Sequence, residues 1–192
     1  MTHRKLTENE IKLAKTIFGD SIDYDAVAIS AKKTIFFQPR DYAMTVSNNI
    51  YMDNRYREDY TLDPDPKFHA LLIHELTHVW QYQNKIFNPM VAALGLNLKH
   101  KFNYREAYEF HLDEKKDLME YGLEQQAEII EEYFLTKHKG LSSYLDRCTN
   151  KCNDAERLAL YESVLKNFLK NPSYAKRKHF PLLFKGKPPK QP

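Results

Sequence analysis

The segment HALLIHELTHVWQYQ (69–83) contains two histidines four positions apart, His74 and His78, with Glu75 directly after the first. On a helix that turns about 100° per residue, the two imidazoles lie only about 40° apart. Two histidine nitrogens at this spacing can bind one Zn²⁺. Glu75 is turned about 100° from His74, so it is better placed to hold an attacking water as general base than to bind the metal. The segment therefore predicts a zinc site with Glu75 as a catalytic residue. The apolar residues of the segment fall on the opposite face of the helix, which we expect to join the core: Leu72, Ile73, Leu76, Val79 and Trp80.

Two histidines leave a zinc ion short of a protein ligand. The metzincin pattern HExxHxxGxxH is excluded, because Gln81 and Asn84 occupy the positions of its glycine and its third histidine. The remaining common solution is a glutamate on a later helix. The segment YGLEQQAEIIEEYF (121–134) supplies candidates, since its helical spacing places several glutamates on one face.

The glutamates on that face are Glu124, Glu128 and Glu131. Taken alone, such a face favours a solvated acidic surface, but the missing third ligand beside an HExxH motif reverses this preference. Glu124 is the first candidate, and spacing alone leaves other ligands open. These competing residues are Glu128, Glu106, Glu109, His100 and His111.

The composition fits one folded domain. Of the 192 residues, 42% are apolar and 13% are aromatic, which excludes a disordered protein. No apolar run approaches the roughly 20 residues of a membrane-spanning helix, so we expect no membrane span. The first ten residues, MTHRKLTENE, lack the apolar stretch of a Sec signal. Export of the protein would therefore need another route.

Positive charge is concentrated at the carboxyl end of the chain. The net charge is +3, and residues 171–192 hold six Lys or Arg residues, no acidic residue and five of the nine prolines. A basic tail is not the basic folded face of a nucleic-acid-binding protein, so we expect no nucleic-acid partner. The predicted organisation is one domain over residues 1–170 and a basic, Pro-rich, partly disordered tail over residues 171–192.

Capping and turn signals define the other elements. A capping box of Thr7 and Glu10 predicts an amino-terminal helix that ends at Gly19. Further predicted elements are strands at 27–29 and 35–37, a hairpin over 44–52, and helices over about 66–83, 123–138 and 154–170. Asp65 is the predicted N-cap of the first of these helices, with Pro66 in its first turn, and Gly140 is predicted to end the second. Strands followed by helices predict an α+β domain with a small mixed or antiparallel sheet, an active-site helix and carboxyl-terminal helices. Cys148 and Cys152 lack a second Cys or His pair at ligand spacing, and we assign them no function.

The motif HELTHVWQYQ with a later LEQQAEIIEEYF resembles the Vgr-related and Rhs-associated zincin-like proteins of bacterial type VI secretion clusters. The resemblance extends over about residues 6–136. Gluzincins carry a ligand glutamate followed four residues later by an acidic residue that orients a zinc-bound histidine. The resemblance therefore implies a zincin-like fold, Glu124 as the third zinc ligand and Glu128 as the orienting residue. Gluzincins also tend to use a Tyr or His to stabilise the oxyanion, a role left open among Tyr104, Tyr108 and Tyr121.

This resemblance implies an antibacterial effector metallopeptidase that hydrolyses an amide bond and is delivered into a target cell by a contact-dependent secretion system. The expected partners are a protein or peptidoglycan-peptide substrate, a cognate immunity protein and a carrier in the secretion apparatus. By analogy with zincins, an edge strand around Ile50–Met52 is expected to hold an extended peptide. The alternatives are a catalytically inactive zincin-like binding module and a structural accessory of the secretion apparatus.

Overall fold

The computed structural model describes residues 3–33, 42–87, 108–142 and 144–180. Its helices are α1 (Glu8–Phe18), α2 (Pro66–Gln83), α3 (Leu123–Lys139), α4 (Asp154–Val164) and α5 (Lys166–Lys170). Its strands are β1 (His3–Arg4), β2 (Ala28–Ser30), β3 (Met44–Val46) and β4 (Asn49–Tyr51). Short 3-10 turns lie at Tyr24–Ala26, Asp53–Arg55, Tyr60–Leu62 and Leu118–Glu120. A small sheet with several helices confirms the predicted α+β class.

The four strands form one mixed sheet in the order β1-β2-β4-β3. β2 pairs with β1 in antiparallel and with β4 in parallel orientation, and β3 pairs with β4 as the predicted hairpin. The predicted strand at 27–29 corresponds to β2, whereas the one at 35–37 lies outside the described residues. The prediction of an edge strand around Ile50–Met52 is wrong, because β4 lies between β2 and β3. Among the described strands, the edges are β1 and β3.

The amino-terminal helix has the predicted capping box. The Thr7 hydroxyl accepts from the Glu10 amide, and the Glu10 carboxylate accepts from the Thr7 amide. Glu10 is fully buried and also accepts from the Arg4 guanidinium and the Tyr60 amide. This carboxylate therefore joins β1, α1 and the turn that precedes α2. The helix ends at Gly19, whose φ of 52° is readily adopted only without a side chain.

Helices α2 and α3 pack against each other in the interior. The Asp65 side chain accepts from the Lys67 amide and caps α2, with Pro66 as its first residue. Gly140, in the left-handed conformation with φ 65°, ends α3 as predicted. The core side of α2 contains Trp80, which is fully buried. No helix in the described ranges is both long and apolar enough to cross a membrane.

The single helix predicted over 154–170 is two helices, α4 and α5, because Leu165 leaves the helical conformation at ψ 2°. Phe168, on α5, is fully buried in the core. Its ring packs edge-on against Trp80 at 5.1 Å and against Phe18 at 6.1 Å between centroids. The aromatic contacts therefore fix the carboxyl-terminal helices to α1 and α2.

The chain after α5 continues along the body as far as the structure describes it. The Trp80 indole donates to the Pro172 carbonyl over 2.8 Å, and the Arg177 amide donates to the Asn84 carbonyl over 3.0 Å. Ala175 is fully buried. Residues 181–192 lie outside the described residues, so the division into a domain and a tail at residue 170 stays a prediction.

Candidate metal centre

The sequence of α2 places His74, Glu75 and His78 in the interior. The exposed fractions are 8% for His74 and 4% for Glu75, and His78 is half-buried. The apolar face of α2 joins the core, as its spacing predicts, while glutamates of α3 face the two histidines. Buried imidazoles and carboxylates are costly unless they are paired, so their partners determine what this interface can do.

Three possible ligand atoms converge between α2 and α3. A Glu124 carboxylate oxygen lies 3.3 Å from Nε2 of His78 and 3.8 Å from Nε2 of His74. The two imidazole rings lie 5.0 Å apart and are nearly perpendicular. The three residues each offer one ligand atom within 4.8 Å of the others. The structure thus brings the predicted ligands His74, His78 and Glu124 together.

The spacing of these atoms suits a small cation. Zinc bonds of about 2.0–2.2 Å in tetrahedral geometry place neighbouring ligand atoms roughly 3.3–3.5 Å apart. The 3.3 Å contact already has this spacing, and the 3.8 Å contact needs a side-chain movement of only about 0.5 Å. Two imidazole nitrogens and one carboxylate oxygen are also the ligand types of a catalytic zinc site with an open fourth position.

The other nitrogen of His74 has a carboxylate partner, and that partner is Glu131. Nδ1 of His74 lies 2.8 Å from a Glu131 oxygen, a hydrogen bond, and 3.8 Å from Glu128, which is beyond hydrogen-bond distance. The orienting contact assigned to Glu128 by resemblance is therefore made by Glu131. The second carboxylate oxygen of Glu128 lies 3.9 Å from the Arg147 guanidinium.

The other nitrogen of His78 has an amide partner. Nδ1 of His78 lies 2.9 Å from Oε1 of Gln81, one turn along α2. The Gln81 amide nitrogen in turn lies 2.9 Å from the Leu123 carbonyl, at the start of α3. Each histidine is thus held through Nδ1, which directs its Nε2 toward Glu124.

The electrostatics of the site favour positive charge. Burial lowers the pKa of His74, but the carboxylates of Glu131, Glu124 and Glu128 outweigh burial and raise it well above its ordinary value. Burial raises the pKa of Glu124, but the two histidines outweigh burial and hold it well below its usual range. Burial is the larger cause and the nearby Glu131 carboxylate the second cause that raise the pKa of Glu128 to about 8. A cation among these groups would offset the buried negative charge.

Glu75 is held apart from the candidate ligands. One of its carboxylate oxygens, Oε2, accepts from the Thr45 hydroxyl over 2.6 Å. Thr45 lies on β3, the edge strand next to β4. Within the described residues, Glu75 belongs to neither group that could hold a metal; these groups are His74–His78–Glu124 and His74–Glu128–Glu131. That Glu75 acts as a general base and does not bind a metal stays a prediction.

Comparisons of sequence and structure with known proteins show the family to which the chain belongs. No protein-family model matches it. It is 35% identical over 167 residues, or 86% of its length, to the type VI secretion system spike protein VgrG2b of Pseudomonas aeruginosa. The solved structure of the effector domain of P. aeruginosa VgrG2b superposes with a TM-score of 0.64 at 32% identity. That match covers 85% of this chain and 82% of the effector domain. The chain belongs to the VgrG2b effector-domain family.

The chain spans only 15% of the VgrG2b spike protein, in agreement with a match to its effector domain rather than to the whole spike. Membership in the VgrG2b effector-domain family supports the type VI secretion context that the motifs implied.

The other candidate residues of the VgrG2b-like chain make different contacts. His111 is exposed, with Nδ1 3.2 Å from the Thr149 hydroxyl. The Tyr121 hydroxyl accepts from the Asp113 amide and donates to the His111 carbonyl, so it is used within its own loop. Two further candidates in the described ranges, Tyr108 and Glu109, are half-buried. They belong to neither of the two groups of possible metal ligands. His100, Tyr104 and Glu106 lie outside the described residues. Cys148 and Cys152 are free thiols.

Proposed function

We propose that this chain is the zinc-dependent peptidase domain of a type VI secretion effector. The observation that carries the proposal is the convergence of both Nε2 atoms on one Glu124 oxygen, with Glu75 on the same helix and apart from the ligands. His74, His78 and Glu124 would hold the zinc ion. Zinc, when bound, supplies a Lewis acid that lowers the pKa of a water molecule and polarises a carbonyl.

The residues of the chain provide the proton transfer. Glu75 is the general base: it takes the proton of the attacking water and then gives a proton to the leaving amine. The Thr45 hydroxyl holds Oε2 of Glu75, which leaves Oε1 for the water proton. Glu75 is 4% exposed, so the residue lies largely out of bulk solvent.

An extended peptide is the substrate form that the surroundings of Glu75 support. β3 is an edge strand of the described sheet, and an edge strand can bind an extended chain through main-chain hydrogen bonds. The contact between Thr45 and Glu75 brings this edge next to the general base. We therefore propose an amide bond as the target, in a protein or in the peptide part of peptidoglycan.

The effector role follows from the family. Similarity to the effector domain of a secretion spike protein supports delivery by a contact-dependent machine into a target cell. An antibacterial effector of this kind would be carried by the secretion apparatus and neutralised in its own cell by an immunity protein. A catalytically inactive binding module would need the metal site but not Glu75, which separates the two candidates experimentally.

The decisive experiment compares Glu75→Gln with wild type and with Glu8→Gln, an equal charge change at an exposed position on α1. All three proteins are expected to fold and to contain about one zinc per chain by elemental analysis, whereas His74→Ala is expected to lose it. Hydrolysis of an unstructured protein and of purified muropeptides should fall about 10²–10⁴-fold in Glu75→Gln alone.

The same proteins can be directed to the periplasm of a susceptible bacterium. Wild type and Glu8→Gln are expected to kill, and Glu75→Gln is not. Equal killing by zinc-loaded Glu75→Gln would show that the protein acts by binding. A full zinc equivalent in folded His74→Ala would show that the ligand assignment is wrong.

A further inference from the structure

We propose that Gln81 is a positioning residue that fixes the ring of His78 and holds the turn of α3 that carries Glu124. The inference rests on the proposed zinc site. It also accounts for glutamines in the two motifs HELTHVWQ and EQQA, to which the proposed chemistry gives no role. Gln81 and Gln126, one from each motif, are both fully buried.

The orientation of the Gln81 amide follows from its partners. Its nitrogen lies 2.9 Å from the Leu123 carbonyl oxygen and 3.0 Å from Oε1 of Gln126. Because a main-chain carbonyl only accepts hydrogen bonds, the side of Gln81 that faces Leu123 must be the NH₂ group. The Gln126 nitrogen donates to the Tyr121 carbonyl over 2.9 Å, so its oxygen must face Gln81. The carbonyls of Leu123 and Tyr121 thus fix the orientation of the Gln81 and Gln126 side-chain amides.

The tautomer of His78 follows from the same orientation. The Gln81 oxygen lies 2.9 Å from Nδ1 of His78, and an amide oxygen can only accept. Nδ1 must therefore carry a proton and donate it to Gln81. The opposite ring nitrogen, Nε2, faces Glu124 at 3.3 Å and is the nitrogen left to bind a metal.

The same amide also positions the third ligand. Leu123 is the first residue of α3, and Glu124 follows it directly. The bond from Gln81 to the Leu123 carbonyl therefore ties the turn that carries Glu124 to the helix that carries both histidines. Loss of this amide would leave buried partners unsatisfied, since water does not reach a fully buried position. Gln81 thus acts on two of the three proposed ligands without contacting the metal.

The test compares Gln81→Met with Gln83→Met in the full chain. Gln83 is a matched control, because it lies on the same helix and exchanges three hydrogen bonds with Asp23 and Asn48, away from the site. Zinc affinity is measured by competition with a chromogenic chelator. The ring nitrogens and the Nδ1 proton of His78 are followed by NMR of ¹⁵N-histidine-labelled protein, with and without zinc.

Gln81→Met is expected to weaken zinc binding by about 10–100-fold, the usual effect of losing a partner that orients a metal ligand. It should also lose the slowly exchanging Nδ1 proton of His78, whereas Gln83→Met should keep both properties. Gln126→Met removes the acceptor that helps to hold Gln81 and should show a smaller loss in the same direction. This second variant decides the question if Gln81→Met does not fold.

Zinc affinity in Gln81→Met equal to that in Gln83→Met, or a His78 Nδ1 proton as protected as in wild type, would overturn the role of Gln81. Failure of wild type to bind zinc would instead refute the proposed function. In that case the Nδ1 proton of His78 in metal-free wild type and Gln81→Met still decides whether Gln81 fixes the ring.

Discussion

Glu128 and Glu131 provide a sharp test of how the candidate metal centre is supported. Both are glutamates on α3, three residues apart, with similar exposed fractions of 5% and 7%. Replacing either with alanine removes the same atoms from a buried position, so the loss of packing is closely matched. The two residues differ in their contact with Nδ1 of His74, which is a 2.8 Å hydrogen bond for Glu131 and a 3.8 Å approach for Glu128.

The structure predicts unequal effects on zinc affinity. Glu131→Ala removes a hydrogen bond between His74 and a carboxylate, and bonds to charged groups contribute about 1.5–3 kcal/mol. This range corresponds to a loss of about 10–150-fold in affinity. Glu128→Ala removes no hydrogen bond to a histidine. Burial and the Glu131 carboxylate raise the pKa of Glu128, which weakens its electrostatic contribution to the site, and we expect a change below about threefold.

The measurement is zinc affinity at pH 7 by competition with a chromogenic chelator, after circular dichroism has shown that each variant is folded. Glu124→Ala serves as the reference for a lost ligand and should bind almost no zinc. A larger loss in Glu128→Ala than in Glu131→Ala would refute the reasoning and return the orienting role to Glu128. Zinc binding retained by Glu124→Ala but lost in Glu128→Ala would move the ligand itself by one helical turn.

Two further predictions concern the carboxyl-terminal part of the chain. Truncation after Lys170 should lower the melting temperature by at least about 4 °C. The reason is that the Trp80 indole loses its acceptor, the Pro172 carbonyl, and that the contacts of buried Ala175 are removed. An unchanged melting temperature would show that residues 171–192 are dispensable for stability. Tyr161→Phe removes the buried hydroxyl that donates to Glu132 over 2.6 Å. The free energy of unfolding, measured in urea, should fall by about 1–3 kcal/mol. An unchanged free energy would show that Glu132 finds another donor.

Local signals in the sequence were sufficient for much of the fold. The capping box at Thr7, the Asp65 cap with Pro66 and the left-handed Gly140 all depend on a few neighbouring residues, and each lies where it was predicted. The amphipathic spacing of α2 also requires no knowledge of other elements, since the core side of a helix follows from its period. The histidine pair could therefore be located before the fold was known.

Contacts between distant segments could not be read in the same way. Because β2 pairs with β4 in parallel, β4 is an inner strand of the sheet. No local sequence pattern distinguishes an inner strand from an edge strand here. Glu124, Glu128 and Glu131 share one face of α3, so sequence spacing cannot tell which carboxylate reaches Nδ1 of His74. That depends on how α3 is rotated and displaced against α2. The contact between Thr45 and Glu75 joins a strand to a helix 30 positions later and has no local signal.

The candidate metal centre lies within the interface between α2 and α3. Both histidines come from α2, and α3 holds one directly through Glu131 and the other through the Gln81 amide at Leu123. A shift of α3 along α2 would therefore change the contact of His74 with Glu131, the bond from Gln81 to Leu123 and the position of Glu124 together. Zinc binding at this site would for this reason be thermodynamically linked to the packing of the two helices, because a ligand that binds only the correctly packed interface stabilises that packing. Zinc binding would therefore give the buried amides between the two helices a role beyond the small net stability that they contribute by themselves.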